Sequence, residues 1–203
     1  MGFIYLSYPQ WLVSRPDTSP PATEAHTSRW SARFIVAAIV QGAIITGFTL
    51  FFVGAQVFIS GINIIQFLSL SFEGPAKWFF LGYIFYLILV VAIAVTAVFY
   101  QHLEVNMNRR LTGVRSALAW VHLIGMNVGG AATTITMILA GLAGTGIIDI
   151  ILGGGNIQSM QNLHPNLTIM EQFVTPIAAL AGLLSIGVLA GGITFVTSYW
   201  RRG

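Results

Sequence analysis

The chain has 203 residues, of which 56% are hydrophobic and only 7% are charged, and its formal net charge is +3 at pH 7. Soluble domains carry about 25% charged residues, so this composition is typical of an integral membrane protein. The absence of cysteine excludes disulfides, thiolate metal sites and iron–sulfur clusters, and nine basic residues are too few to form a basic stripe for nucleic-acid phosphates.

Residues 1–33 are predicted to form an N-terminal arm. The stretch FIYLSYPQWLV is rich in the aromatic residues that favour the membrane interface, whereas SRPDTSPPATEAHTSR contains too many prolines for a helix. No basic region precedes the first apolar run, as it would in a signal peptide. We therefore expect an interfacial or extended arm that is retained in the protein.

Residues 34–203 are predicted to form an all-α, polytopic membrane domain. A transmembrane helix needs about 20 largely apolar residues. Four stretches meet this requirement without an ionised residue near their centres: 34–59, 78–101, 117–141 and 173–199. The pattern predicts a bundle of four transmembrane helices. The first loop, 61–77, is apolar for an external connection, so we expect it to lie on the membrane surface or beneath another chain.

The basic residues predict the orientation of this bundle. Only Lys77 falls in a loop on one side of the membrane. The other eight fall on the opposite side: Arg15, Arg29, Arg33, Arg109, Arg110, Arg115, Arg201 and Arg202. The positive-inside rule then places both termini, and the loop between the second and third helices, in the cytoplasm.

Small residues in the third and fourth helices predict helix contacts. Gly125 and Gly129 are four residues apart, and so are Gly187 and Gly191. Residues of this kind let two backbones approach closely, which is how helices associate in lipid. We expect these glycines to pack helices within the bundle or against a partner subunit.

His122 and Asn127 are the candidate buried polar site. His122 lies roughly 10 Å along the third helix from Arg115, and Asn127 lies deeper. Polar groups at such depth are costly and normally face the protein interior. Three roles stay open, namely an axial haem ligand, a proton relay and an interhelical hydrogen bond, of which the last is the commonest. His102, near the interface, is the only candidate for a second haem ligand.

The remaining polar residues predict no catalytic site. Thr133, Thr134 and Thr136 can each donate to a carbonyl one turn earlier in their own helix. Glu104 is predicted to be a solvated interfacial carboxylate, or to pair with an arginine at 109–110. The sequence contains no nucleotide-binding loop, no Ser/His/Asp arrangement that can be placed, and no HxxH or HxH pair for iron or copper.

The stretch AWVHLIGMNVGGAATTITMILAGLAG, residues 119–144, resembles the penultimate transmembrane helix of subunit I of haem-copper terminal oxidases. That helix carries a histidine near its start, then a glycine about seven residues later and a terminal G-L-x-G. His122, Gly129 and residues 141–144 match these positions, and Thr133 matches a position that is commonly hydroxylated. The predicted direction of the helix, and the single returning helix after it, agree with the family as well.

The chain also departs from that family. Subunit I carries haem ligands in an HxHF pattern in the preceding helix, where this chain reads WFFLGYIFYLILVV. After GLAG the family continues with a Pro-Arg-Arg run, whereas this chain continues TGIIDIILGGG. The resemblance therefore covers at most the last half of the chain and brings no haem or copper ligands with it.

The resemblance implies a non-catalytic accessory subunit of a respiratory terminal oxidase, which supports assembly and stability. Such a chain would hold no cofactor of its own, since haem and copper would lie in partner subunits I and II. It would lie among lipids in the plasma membrane of a prokaryote, an archaeon being one option. The alternatives are a small b-haem or quinone-binding subunit using His122 and His102, a transporter component, and an accessory subunit of another complex such as a copper monooxygenase.

Overall fold

The computed structural model describes residues 28–58, 74–148 and 167–200, and all regular structure within these ranges is helical. The four helices are α1 (Arg29–Phe58), α2 (Ala76–Asn106), α3 (Val114–Gly144) and α4 (Leu167–Tyr199). All four are long and apolar enough to cross a membrane, which indicates a multi-pass membrane protein. Over the described residues, the prediction of an all-helical fold with four long apolar helices is confirmed, whereas the cytoplasmic location of the termini stays a prediction.

All four helices begin earlier than hydropathy predicts. α1 begins at Arg29, inside the predicted arm; α2 begins at Ala76, α3 at Val114 and α4 at Leu167. The physical reason is that hydropathy marks only the part of a helix that lies in hydrocarbon, whereas backbone hydrogen bonding continues into the polar headgroup region. Residues 1–27 of the arm and 61–73 of the first loop lie outside the described residues.

The start of α1 is held by a carboxylate from the end of α2. The hydroxyl of Ser28 donates to the Glu104 carboxylate, and the Trp30 N–H donates to Glu104 Oε2 at 3.0 Å. A carboxylate at this place accepts from backbone N–H groups that have no partner in the first turn, and it complements the helix dipole. Glu104 therefore ties α1 to α2, which corrects the prediction of a solvated side chain or a pair with a loop arginine.

α3 lies at the centre of the bundle. In the most apolar 18-residue segment of α3, 56% of the residues are buried. The corresponding fractions are 17% in α1 and 11% in α4, so α1 and α4 are peripheral. α2 packs against both α1 and α3, and α4 packs along α3. The side chains that are fully buried between these helices include Phe34, Tyr86, Ile93, Tyr100 and Ile138.

Candidate functional site

α3 is interrupted near its middle by the π-helical segment Gly125–Gly130. A π turn forms i→i+5 hydrogen bonds, and such turns occur frequently at functional sites within α-helices. In this segment the glycines at 125 and 129 contact α4, while Asn127 contacts α1. The interruption thus lies where α3 meets two helices at once.

Asn127 belongs to a chain of hydrogen bonds that joins three helices. Its Oδ1 accepts from Gln41 Nε2 of α1 at 3.2 Å, and its Nδ2 donates to the Leu123 carbonyl at 2.9 Å. The other end of the Gln41 amide, Oε1, accepts from the hydroxyl of Tyr86 on α2. Gln41 and Tyr86 are buried, so these bonds satisfy polar groups that would be costly to leave unpaired in hydrocarbon.

His122 forms a second polar contact one and a half turns before Asn127. Its Nδ1 lies 3.1 Å from the hydroxyl of Tyr100 on α2, and its ring centroid lies 5.3 Å from that of Phe34 on α1. On the α4 side the imidazole contacts Gly191, where an added Cβ would stand 2.7 Å from His122 Cγ. The imidazole is therefore enclosed by α1, α2 and α4.

The two histidines considered as haem ligands have different surroundings. His122 is buried with Tyr100, whereas His102 is exposed and its Nδ1 lies 3.0 Å from Asn106 Nδ2. Over residues 28–58, 74–148 and 167–200, no group of three or more His, Cys, Asp or Glu side chains could hold a metal ion. Each histidine thus has a protein hydrogen-bond partner of its own, and haem ligation stays an untested alternative.

The four glycines singled out in the sequence lie in the contact between α3 and α4. An added Cβ at Gly125 would stand 2.5 Å from the Gly187 Cα, and one at Gly129 would stand 2.6 Å from the Leu184 nitrogen. Gly191 contacts the His122 ring. At this contact the two helices touch backbone to backbone, which only glycine permits.

Several contact residues were missed by the sequence analysis. Gly82 of α2 packs against α3, where an added Cβ would stand 2.7 Å from the Thr134 carbonyl oxygen, and Gly141 of α3 packs against Phe79 in the same way. Gln41, which bonds Asn127, lies outside the predicted polar site as well. A signal existed for two of them, since Gly82 and Gln41 interrupt otherwise apolar stretches of α2 and α1.

The threonines of α3 satisfy their own hydroxyl groups. Thr133, Thr134 and Thr136 each donate to the carbonyl four residues earlier, at 2.7–3.0 Å. The prediction of local hydrogen bonds is confirmed. The polar row of α3 therefore divides into threonines that bond within the helix and two residues, His122 and Asn127, that bond to other helices.

The polar side chains of the site form hydrogen bonds between helices. The hydrogen bonds from Tyr86 through Gln41 to Asn127 connect three helices, and the contact between His122 and Tyr100 connects two of them. These contacts fix the positions of the helices relative to one another.

No family model, curated protein or solved structure matches this protein.

Proposed function

We propose that the chain is a non-catalytic integral membrane subunit of a respiratory haem-copper terminal oxidase complex, in which it supports assembly and stability. The observation that carries the structural role is that the two deep polar residues of α3, His122 and Asn127, hydrogen-bond to α1 and α2. Polar side chains that join helices in this way commonly stabilise membrane bundles.

The exposed apolar faces of α1 and α4 support a place within a complex. Both helices leave most of their large side chains uncovered by the described residues, among them Ile39, Leu50, Ile186 and Leu189. Lipid covers such faces, and so do the helices of neighbouring subunits, which pack on them by van der Waals contact. The choice of a terminal oxidase rests on the resemblance carried by His122, Gly129 and residues 141–144.

Co-purification tests this proposal. The tagged chain is extracted from its native membrane in a mild detergent, and the proteins that purify with it are identified by mass spectrometry. We expect oxidase subunits I and II in a fixed ratio to the chain. Recovery of the chain with subunits of a different membrane complex, a copper monooxygenase for example, would contradict the oxidase assignment.

The visible spectrum separates a structural subunit from a haem-binding one. After the partner subunits have been dissociated, we expect the purified chain to show no Soret band. A Soret band that persists in the isolated chain and disappears in His122→Ala would show that this chain ligates haem. His102→Ala is the companion variant, because His102 is exposed and its loss identifies or excludes a second axial ligand.

A further inference from the structure

A basic cavity lies at the end of the bundle where α1 begins and where α2 connects to α3. Its volume is about 440 Å³, and three arginines line it, Arg29, Arg33 and Arg110. The hydroxyl-bearing residues Thr112 and Ser116 line it as well. The cavity is thus surrounded by groups that donate hydrogen bonds to anions.

The charges around this cavity do not cancel. Glu104 is the single acidic residue among the described lining residues, so three positive charges against one negative charge leave a net charge of +2. The Glu104 carboxylate already accepts from Ser28 and from the Trp30 N–H. The site therefore has an excess of unneutralised guanidinium groups at a place predicted to lie at the membrane surface.

Arg33 connects this cavity to an apolar groove. The Arg33 guanidinium lies over the rings of Trp30 and Trp120, 4.5 and 4.7 Å from their centroids. Arg33 also lines the groove, which has a volume of about 580 Å³ and runs between α1 and α3, past Val36 and Ile124.

The groove leads from the basic cavity along the exposed surface between α1 and α3, toward the middle of these two helices. On α1 it follows the residues from Ala32 to Gln41, a distance of roughly 14 Å at 1.5 Å per residue. On α3 it extends from Leu123 to Val128. Apart from Arg33 and the network residues Gln41 and Asn127, its lining is aliphatic. Its length and apolar lining suit a hydrocarbon chain.

We infer that the two cavities together bind one anionic phospholipid. Its headgroup phosphate lies among Arg29, Arg33 and Arg110, and one of its acyl chains lies in the groove between α1 and α3. Guanidinium groups bind phosphate oxygens through paired hydrogen bonds, and basic pockets between transmembrane helices bind anionic headgroups. A free phosphate ion would occupy only the basic cavity, whereas the continuity at Arg33 provides for both parts of a lipid. This inference does not depend on which complex contains the chain.

Lipid titration of the full-length chain in mild detergent tests the headgroup site. Native mass spectrometry measures binding of phosphatidylglycerol, with phosphatidylcholine of the same acyl chains and inorganic phosphate as the comparison ligands. We expect phosphatidylglycerol to bind at least tenfold more tightly than phosphatidylcholine. Arg110→Gln should weaken phosphatidylglycerol binding about fivefold, the contribution of one basic residue near an anionic lipid.

Arg115→Gln is the matched control for the headgroup site. Arg115 lies in the first turn of α3 and carries the same charge, but it does not line the cavity. We expect this variant to bind phosphatidylglycerol within about twofold of the unaltered chain. Equal binding of the two lipids, or equal losses in Arg110→Gln and Arg115→Gln, would overturn the site.

The acyl-chain part is tested by filling the groove. Val36→Trp places an indole in the groove, and Val91→Trp on α2 is its control, because Val36 and Val91 are 61% and 62% exposed and only Val36 lines the groove. We expect Val36→Trp to weaken phosphatidylglycerol binding at least fivefold and Val91→Trp to leave it unchanged. If inorganic phosphate displaces phosphatidylglycerol completely and Val36→Trp has no effect, the lipid assignment is wrong and the cavity is a site for a soluble anion.

Discussion

Gly125 and Gly187 show how single residues set the distance between α3 and α4. Each would place an added Cβ against backbone atoms of the other, Gly125 against the Gly187 Cα and Gly187 against the Gly125 Cα at 2.7 Å. Backbone atoms cannot move aside as the end of a flexible side chain can. The absence of a side chain at these two positions is therefore what allows the helices to touch.

Gly125→Ala should destabilise the bundle. The added methyl must push the backbones of α3 and α4 apart, which we expect to cost about 1 to 3 kcal/mol, as overpacking does in tightly packed cores. The control is Gly182→Ala on α4, where an added Cβ meets nothing within 4 Å. Thermal unfolding in detergent, followed by circular dichroism, should give a lower midpoint for Gly125→Ala and no loss for Gly182→Ala. Equal midpoints for Gly125→Ala and the unaltered chain would refute the close contact.

At the scale of helices, the π-helical segment determines how α3 contacts its neighbours. The segment Gly125–Gly130 lets α3 turn glycines toward α4 while Asn127 reaches Gln41 of α1. Gln41 also accepts a hydrogen bond from Tyr86 of α2, so its amide group joins α1 to both α2 and α3. The alignment of α1, α2 and α3 therefore depends on one buried polar side chain of α1, that of Gln41.

Gln41→Leu should weaken the bundle more than the loss of a local hydrogen bond does. The change leaves Tyr86 and Asn127 without their Gln41 partner, and we expect a cost of about 1 to 2 kcal/mol. Thr46→Val is the control, because the Thr46 hydroxyl is exposed and donates to the Gly42 carbonyl of its own helix at 2.8 Å. Unfolding by added sodium dodecyl sulfate measures both changes.

A double-mutant cycle separates the network from a general packing effect. If Gln41 and Tyr86 act through one hydrogen bond, Tyr86→Phe should cost less in the Gln41→Leu background than in the unaltered chain. Strictly additive losses would show that the two residues stabilise the protein independently.

At the scale of the whole molecule, the bundle has one arginine-rich end. The contact of Glu104 with Ser28 and Trp30 brings the start of α1 to the end of α2, and the connection from α2 to α3 lies beside them. Lys77 lies at the start of α2, at the opposite end of that helix. The positive-inside rule predicts that the arginine-rich end faces the cytoplasm.

Single cysteines can test this orientation, because the chain has no cysteine of its own. Thr112 and Lys77 are both exposed and lie at opposite ends of the bundle. A membrane-impermeant maleimide should label Lys77→Cys in intact cells and Thr112→Cys only in inverted vesicles. The reverse labelling pattern would place the termini outside. Thr112→Ser introduces no thiol and therefore measures the background labelling.

The number and approximate positions of the helices could be predicted from the sequence, but few of the contacts between them could be. The four helices could be predicted from hydropathy, because the hydrocarbon thickness sets a minimum apolar length that few other structures satisfy. The small residues Gly125, Gly129, Gly187 and Gly191 could be identified as candidates for contacts. Their partners could not, since the rotation of each helix about its axis depends on all its neighbours at once.

The polar site, too, could be predicted only in part. His122 and Asn127 stood out because ionisable and amide groups are rare in apolar helices, but their partners Tyr100 and Gln41 lie on other helices. The prediction for Glu104 was wrong for a related reason. Glu104 accepts hydrogen bonds from Ser28 and from the Trp30 N–H instead of pairing with the arginines nearest to it in sequence. A backbone N–H is present at nearly every residue, so no sequence pattern identifies it as a partner.

Composition and hydropathy are enough to predict a helical membrane protein with four long apolar helices, and the basic residues predict how those helices are oriented. The folded bundle was needed to show that Gly125 contacts Gly187, that Gln41 joins Asn127 to Tyr86, and that Arg33 lies between a basic cavity and an apolar groove. The physical reason is that apolar length is a local property of the chain. Contacts between helices depend instead on their relative rotation, which a π-helical segment shifts within α3.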